Sequence, residues 1–428
     1  MKEEMINKII NDKKNIIVEG GVSSGKTTNI FYPIINNLIA KKENLFILDS
    51  NIEYINYYEK LKENGYNVRI INLRNIEYTE GWNPLEYPCA LDKTDNTDSA
   101  LNLVEKIAKT IFKDDIESIN IFIGLVFAIY EEQYINMLEM DKVKLNNVVA
   151  LIDSAYIEYG ISDCFDEYFK EKDHKAISYM YLLPILSLSK EERNKKLSIV
   201  RNKLVPYISR DKLSKFMSKT TFRIKDINTK PVAIIFISNT EDKVLNLLTT
   251  IFIEQLYTIL SRADTSEYKS FSFILDNFDT LDDFDNLIDI LNTDITKTIK
   301  FYIGTRSVDR LVNKYSNYIF KLCDLVLIKE VSIKLISNEK EEDFPKNFDK
   351  TEIINKSNID FPKLNNIEIQ TIDIAKRVDD IKRNKYKQID TNIEINSKDS
   401  IKSIDKMISD IDKKIAELER LDKGDSNE

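Results

Sequence analysis

Hydrophobic residues follow two alternating spacings in the N-terminal part of the chain, up to Asn72. Short runs rich in β-branched residues are separated by segments in which apolar residues recur every three or four positions, which is typical of parallel βαβ units. The predicted strands are Asn15–Glu19, Leu45–Asp49 and Val68–Asn72. Between the first two strands, a helix is predicted by five apolar residues on one face. They are Ile30, Ile34, Ile35, Leu38 and Ile39.

The pattern then changes to long amphipathic helices, which continue to Phe222 without a run that predicts a strand. Four further strands are predicted after that block. They are Ala233–Ser238, Phe271–Asp276, Lys300–Thr305 and Asp324–Lys329. We therefore predict an α/β fold with a mostly parallel sheet. Its sheet domain is discontinuous, formed by residues 1–91 and 223–335, and residues 92–222 are an inserted all-helical domain.

The C-terminal part of the chain has a different composition. Residues 336–399 are rich in Lys, Asp, Asn and Ile and poor in aromatic residues, so we predict a loosely ordered connector. Over residues 400–422 a three-four spacing of apolar residues predicts a terminal amphipathic helix that resembles a coiled coil. The apolar positions are Ile401, Ile404, Ile408, Ile411, Ile415 and Leu418. This helix either packs on its own protein or mediates self-association.

Composition excludes several classes of protein. The 428 residues include 62 Lys and Arg against 71 Asp and Glu, a net charge of −9, so any contact with nucleic acid must be local. The three cysteines are far apart and there is a single histidine, His174, which leaves no disulfide framework, zinc motif or histidine-based triad to read. The longest apolar run, Ile119–Tyr130, is shorter than the roughly twenty residues of a membrane span and predicts a buried helix. We expect a cytoplasmic protein.

The segment GGVSSGKTT lies between the first predicted strand and the following helix. It matches the phosphate-loop pattern GxxxxGK[ST] in the strand–loop–helix context that this motif requires. In such a loop backbone amides face phosphate oxygens, the lysine reaches the β and γ phosphates, and the hydroxyl of Thr27 ligates Mg²⁺. The predicted nucleotide-binding residues are Gly20, Gly21, Val22, Ser23, Ser24, Gly25, Lys26, Thr27 and Thr28.

A second acidic group is needed to hold the Mg²⁺ shell. Asp276 ends the apolar strand FSFILD and is the predicted Walker B residue, together with Thr27 as the metal site. Asp49, at the end of LFILD, is the alternative. Asn277 follows Asp276, where ATPases of this class generally place a glutamate. Asparagine orients water but does not accept its proton.

The order of these motifs resembles the type IV coupling proteins of bacterial conjugation, the TraG/TraD-type DNA-transfer ATPases. The resemblance covers most of Asn15–Lys329 and includes the GWNPL stretch, Gly81–Leu85, before the helical insertion. It implies a RecA-like P-loop ATPase that binds ATP and Mg²⁺, assembles as a hexamer at the inner face of the membrane, and passes relaxase-bound single-stranded DNA to a secretion channel. Members usually carry two transmembrane helices before the phosphate loop, whereas nineteen residues precede Gly20 here. We expect a form without those helices.

The same resemblance identifies three positions that affect turnover. It places Asn277 at the usual catalytic glutamate, Lys297 at a common trans-acting arginine, and Arg306 at a common water-sensing glutamine. We therefore predict a protein that binds ATP better than it hydrolyses it. Two functions remain open: a motor that recruits or moves relaxase-bound DNA, and a non-motor nucleotide-binding adaptor or vestigial paralogue that recognises cargo. A double-strand translocase of the FtsK kind is disfavoured by the helical insertion after GWNPL.

The clearest basic segment is Lys190–Lys225, and it is a candidate single-strand DNA contact. Its basic residues are Arg193, Lys195, Lys196, Arg201, Lys203, Arg210, Lys212, Lys215, Lys219, Arg223 and Lys225. Tyr207, Phe216 and Phe222 are interleaved with them as candidates for base stacking. The alternative is a solvated helix face. An acidic cluster that should repel DNA follows Asp276. It contains Asp279, Asp282, Asp283, Asp285 and Asp289.

Overall fold

A computed structural model gives the fold of most of the chain. It describes residues 2–12, 14–94, 96–135, 142–222, 230–262, 270–281, 284, 286–292, 299–329, 332–337, 340–345, 359, 361–364 and 369–384. The predicted terminal helix at 400–422 lies outside these residues.

Nine strands form one sheet in the order β11-β10-β9-β1-β8-β7-β2-β6-β3, and β4 pairs only with β5. Their bounds are β1 (Asn15–Glu19), β2 (Asn44–Asp49), β3 (Asn67–Asn72), β4 (Glu158–Tyr159), β5 (Ser162–Asp163), β6 (Val232–Ile237), β7 (Phe271–Leu275), β8 (Ile299–Thr305), β9 (Cys323–Ile328), β10 (Ser332–Ser337) and β11 (Lys340–Pro345). The pairings from β9 to β3 are parallel, whereas β10 and β11 are antiparallel additions at one edge. The predicted α/β class with a mostly parallel sheet is confirmed, and each of the seven predicted strands is present.

Helices precede, follow and interrupt the strands. They are α1 (Lys2–Asn11), α2 (Tyr32–Ala40), α3 (Tyr58–Glu63), α4 (Glu86–Asp92), α5 (Thr97–Phe112), α6 (Ile116–Ile135), α7 (Leu145–Asp153), α8 (Cys164–Lys170), α9 (Ile177–Leu186), α10 (Lys190–Ile208), α11 (Asp211–Phe216), α12 (Lys243–Arg262), α13 (Leu287–Asn292), α14 (Val308–Tyr315) and α15 (Ile319–Leu322), with a further helix at 374–384. The central strands are buried on both faces, as their continuous apolar runs require.

The helical insertion does not form a compact unit of its own. One unit contains the described residues of Met1–Ile152 and Lys175–Thr371, and the other those of Asp153–His174 and Ile372–Glu428. Within the first unit the insertion is tied to the sheet part by buried hydrogen bonds. The Tyr130 hydroxyl on α6 donates to the Leu85 carbonyl (3.0 Å), and the backbone N–H of Trp82 donates to the Phe216 carbonyl on α11 (2.9 Å).

The structure corrects two details of the sequence prediction, one in the helical block 92–222 and one in the segment 336–399. The block 92–222 is helical except for the short β4–β5 hairpin, which the pattern did not predict. The segment 336–399, predicted to be loosely ordered, contains β11 and the helix at 374–384. Strand β11 pairs with β10 in antiparallel register and buries Phe344 to 8% exposure, which fixes this edge of the sheet.

Two long helices, α6 and α12, contain extended apolar runs. The run Ile119–Tyr130 lies in α6 and is buried, as predicted. Among the described residues, α12 is the one helix long and apolar enough to cross a membrane, and 78% of its apolar window is buried inside the protein. Such burial is that of a core helix.

Candidate nucleotide-binding site

The predicted site residues gather at the carboxyl ends of neighbouring parallel strands. The phosphate loop follows β1, and the backbone N–H of Gly20 donates to the carbonyl of Thr305 at the end of β8 (3.1 Å). Asp276 directly follows β7, which pairs with β8. Ligand sites in open α/β sheets lie at this edge.

The loop has the backbone that a phosphate site requires. Gly25 has φ +83°, and Ser23 also lies in the left-handed region with φ 60°. A β-carbon at Gly20 would lie 2.4 Å from Ser24 Oγ, and one at Gly25 would lie 2.4 Å from Asn29 Nδ2. A side chain at residue 25 would be strained by the positive φ as well as crowded, whereas one at residue 20 would require the Ser24 side chain to shift.

After the loop the chain enters a helix at once. Its first turn, Thr27–Phe31, is π-helical and continues into α2. Asn29 is buried, and its backbone N–H donates to the Gly25 carbonyl (2.8 Å). The N-terminus of this helix therefore directly follows the loop, where its positive dipole end favours an anion.

Two polar groups of the loop are withdrawn from solvent. The Lys26 side chain is 7% exposed, and its ammonium group donates to the Gly20 carbonyl (2.8 Å). Ser24 Oγ is buried and has no hydrogen-bond partner among the described residues. A buried cation beside an unsatisfied hydroxyl is suited to phosphate oxygens, which accept hydrogen bonds from both.

The carboxylate of Asp276 lies beside the loop. It is 2% exposed, and its Oδ2 accepts hydrogen bonds from the hydroxyls of Tyr54 (2.9 Å) and Thr27 (3.4 Å). Its Oδ1 accepts the backbone N–H of Asn277 (2.8 Å). Burial raises the pKa of Asp276, and the nearby Lys26 ammonium opposes that rise. Thr27 and Asp276 are thus brought together as the predicted metal pair.

Asp49, the alternative acid, has a different set of partners. It is fully buried at the end of β2, where its two oxygens accept the backbone N–H groups of Glu53 and Ile55, each at 2.8 Å. Burial raises its pKa to about 6, and the backbone donors oppose the rise. The Asp49 oxygens hold the following turn, whereas Asp276 lies within hydrogen-bond distance of the Thr27 hydroxyl, which favours Asp276 over Asp49 as the metal ligand.

The three predicted turnover positions are placed differently. Asn277 is half-buried beside Asp276 and adopts the left-handed conformation (φ 54°, ψ 38°), and its carbonyl accepts the Thr280 hydroxyl (2.7 Å). Arg306 is exposed and directly follows Thr305, whose carbonyl holds Gly20. Lys297 lies outside the described residues.

Sequence reasoning missed two residues that contact Asp276. Tyr54, in the 3₁₀ turn Tyr54–Tyr57, is 222 positions away along the chain. Gly304 is adjacent to Asp276 Oδ1, and its position inside strand β8 was an available signal, because a strand glycine often marks a close approach.

No group of three or more His, Cys, Asp and Glu side chains that could hold a metal ion occurs in the described part of the chain.

The basic segment lacks the stacking surface that we predicted for it. Tyr207, Phe216 and Phe222 are 3%, 0% and 6% exposed, so they belong to the protein core. Several of its cations are paired with acids, and Arg223 and Lys225 lie outside the described residues. The pairs are Lys195–Glu191, Lys196–Glu117, Arg210–Asp242, Lys212–Glu77 and Lys215–Asp211. The prediction that bases stack on these three rings is therefore wrong. Of the acidic cluster, Asp282, Asp283 and Asp285 lie outside the described residues, and Asp279 pairs with Arg310 (3.1 Å).

Comparison with known proteins gives a family and a fold. The family model described as Type IV secretory system Conjugative DNA transfer matches residues 6–322. No curated protein sequence matches the chain significantly.

Solved structures of bacterial conjugative coupling proteins share the fold. TrwB in complex with the non-hydrolysable ATP analogue ADPNP has 13% identity and a TM-score of 0.54, over 82% of this chain and 89% of that one. TrwB in complex with ADP and Mg²⁺ gives the same values. TrwBdeltaN70 in complex with sulphate has 12% identity and a TM-score of 0.53 over the same shares.

Proposed function

Since the chain belongs to the type IV secretory system conjugative DNA transfer family, we propose that it is an ATP-binding coupling protein that recruits or moves relaxase-bound single-stranded DNA. Its partners would be the components of the secretion channel, and it would work as a homo-hexamer at the cytoplasmic face of the membrane. The observation that carries the nucleotide part is the buried Lys26 and the half-buried Thr27 beside the buried Asp276.

The residues of the loop fit ATP with Mg²⁺. Gly20 and Gly25 have close neighbours where a β-carbon would lie, and the unsatisfied Ser24 hydroxyl needs an acceptor. Lys26 would hold the β and γ phosphates, while Thr27 and Asp276 would hold Mg²⁺. The ion would supply charge neutralisation at the phosphates. The solved TrwB complexes with ADPNP and with ADP and Mg²⁺ are consistent with this assignment.

Hydrolysis is proposed to be weak. Asn277 lies beside Asp276 but carries an amide, which does not accept the proton of an attacking water. Arg306 follows the strand end that holds Gly20, a position from which it would reach a bound nucleotide and offset part of the loss. The same asparagine favours the second candidate function, a non-motor adaptor that assembles around ATP and recognises cargo.

Nucleotide titration tests the proposal. A fluorescent ATP analogue with Mg²⁺ should bind the wild type, and Lys26→Ala should abolish binding because the phosphates lose their fixed cation. Lys109→Ala, which removes an exposed lysine of α5, is the matched control and should bind like wild type. Unchanged affinity in Lys26→Ala would refute the phosphate-loop assignment. ATPase assays with and without single-stranded DNA then separate the two candidate functions, because only a motor requires DNA-stimulated turnover.

A further inference from the structure

The turn after β2 contacts Asp276 through the buried side chain of Tyr54. Tyr54 is 2% exposed, and its hydroxyl donates to Asp276 Oδ2 at 2.9 Å. Thr27 Oγ1 donates to the same oxygen at 3.4 Å. The Tyr54 hydroxyl therefore lies next to the two residues assigned to Mg²⁺.

The position of Tyr54 is fixed on both sides. The backbone N–H groups of its chain neighbours, Glu53 and Ile55, donate to the two oxygens of Asp49. Its ring packs edge-on against Phe31 (centroids 6.5 Å apart) and Tyr32 (5.8 Å), which follow the phosphate loop. A tyrosine held in this way has few alternative positions for its hydroxyl.

We propose that Tyr54 is a positioning residue for the metal site and that Asp49 acts through it, so that the two acidic strand ends work in series rather than as alternatives. This inference rests on the proposed ATP and Mg²⁺ binding. Tyr54 directs one oxygen of Asp276 toward Thr27, while the Asn277 N–H holds the other oxygen. Asp49 contributes by anchoring the turn that carries Tyr54.

The chemistry favours an effect on metal affinity. Hydrogen-bond partners of a metal-ligating carboxylate fix its orientation, and their loss typically lowers metal affinity 10–100-fold. Removing the Tyr54 hydroxyl would leave Asp276 Oδ2 with the longer contact to Thr27 (3.4 Å) as its remaining hydrogen bond within the part of the chain that the structure describes. The phosphate contacts of Lys26 and the loop amides would be untouched.

A Mg²⁺ titration of the full chain tests the inference, with N-methylanthraniloyl ADP as the probe. Tyr54→Phe should require about tenfold more Mg²⁺ for half-maximal probe binding, with the same affinity as wild type in EDTA. Tyr57→Phe is the matched control, because Tyr57 lies in the same turn, is 2% exposed and donates to the Tyr32 carbonyl (3.3 Å) rather than to Asp276. It should keep the wild-type Mg²⁺ requirement.

A double-mutant cycle tests the series arrangement. Asp49→Asn should raise the Mg²⁺ requirement in the wild-type background and have little further effect in Tyr54→Phe. An unchanged Mg²⁺ requirement in Tyr54→Phe, or an equal loss of affinity with and without Mg²⁺, would overturn the positioning role while leaving the proposed function intact. A wild type that binds no probe would overturn both.

Discussion

Gly304 faces Asp276 across the neighbouring strands β8 and β7, and a β-carbon at residue 304 would lie 2.5 Å from Asp276 Oδ1. The same β-carbon would approach the ring of Phe31 to 3.0 Å. Neither neighbour is free to move, because Asp276 is hydrogen-bonded and Phe31 is fully buried. The glycine therefore makes room for the acid.

Gly304→Ala should accordingly disturb the site and the core together. We expect a loss of about 1–3 kcal/mol in the free energy of unfolding, as for other overpacked cores, and weaker Mg²⁺-dependent binding of ADP. Urea denaturation and the Mg²⁺ titration measure the two effects. For the stability measurement Gly21→Ala is the control, since a β-carbon there meets nothing within 4 Å. Wild-type stability and wild-type Mg²⁺ dependence in Gly304→Ala would show that the site relaxes without cost.

We expect Asn277 to limit the rate of ATP hydrolysis. Steady-state ATPase of the wild type should be low and Asn277→Glu should raise it, because a carboxylate accepts the proton of the attacking water and such assistance is worth roughly two to four orders of magnitude. Asn277→Ala should be no faster than wild type. A robust DNA-stimulated wild-type rate that Asn277→Ala abolishes would mean that asparagine suffices for a motor.

The backbone at Asn277 requires a control in that experiment. Its φ of 54° lies in the left-handed region, which asparagine tolerates and glutamate disfavours by about 1–2 kcal/mol. Asn277→Gly should keep the fold because glycine has no such penalty. Comparing the three variants by urea denaturation separates a loss of folded protein from a change in chemistry.

Strands β2, β6 and β7 were predictable because each is a nearly continuous apolar run that the sheet buries on both faces. Strand β11, Lys340–Pro345, was not, since its sequence KEEDFP is mostly charged and it lies at the edge of the sheet, where charged residues are common. Its pairing with β10 places Lys334 beside Glu341. Such a strand is specified by its neighbour rather than by its own hydrophobicity.

The site divides in the same way. The phosphate loop was predictable because its glycine and lysine spacing between a strand and a helix is a local signal. Asp276 was predictable because it ends an apolar strand. By contrast, the contact of Tyr54 with Asp276 depends on the sheet order, which places β7 beside β2. Burial of Tyr207, Phe216 and Phe222 likewise depends on tertiary packing, because interleaved aromatic and basic residues occur both on DNA-binding faces and on amphipathic core helices.

Asp49 should give the protein a recognisable pH dependence. Burial raises its folded-state pKa to about 6 from 3.8, so the folded state binds more protons than the unfolded state between these values. Its contribution to stability is therefore largest at low pH and is lost as the pH rises through about 6. Asp49→Asn removes this titration, and the stability gap between wild type and Asp49→Asn should narrow from pH 4 to pH 6 in urea denaturation.

Asp115 provides the control for that series, because hydrogen bonds from Ser118 lower its pKa. The stability difference between wild type and Asp115→Asn should therefore widen as the pH rises toward 3.8, the ordinary pKa of aspartate, and change little from pH 4 to pH 6. A gap for Asp49→Asn that widens with pH would show that the backbone donors dominate over burial.

Lys300 connects the start of β8 to the end of α1. Its ammonium group is largely buried and donates to the carbonyls of Ile9 (2.6 Å), Ile10 (3.4 Å) and Asp12 (2.6 Å). Cations near a helix C-terminus stabilise its free carbonyl groups. Burial lowers the pKa of Lys300 to about 8.

Lys300→Met should therefore destabilise the protein by about 1–3 kcal/mol at pH 7, because the carbonyls lose their donor. Since the folded-state pKa is about 8 against 10.5, the unfolded state binds more protons between these values, and wild-type stability gains from this group as the pH rises. The difference in the free energy of unfolding between wild type and Lys300→Met should widen from pH 8 to pH 10. Tyrosines and cysteines also titrate in this range, but both proteins contain the same ones, so their contributions cancel in the difference. Lys41→Met, which removes an exposed ammonium that donates to the Asn11 side chain at 3.1 Å, is the control and should give a small loss of stability at pH 7. A stability difference for Lys300→Met that stays constant or narrows would mean that burial does not lower the pKa of Lys300.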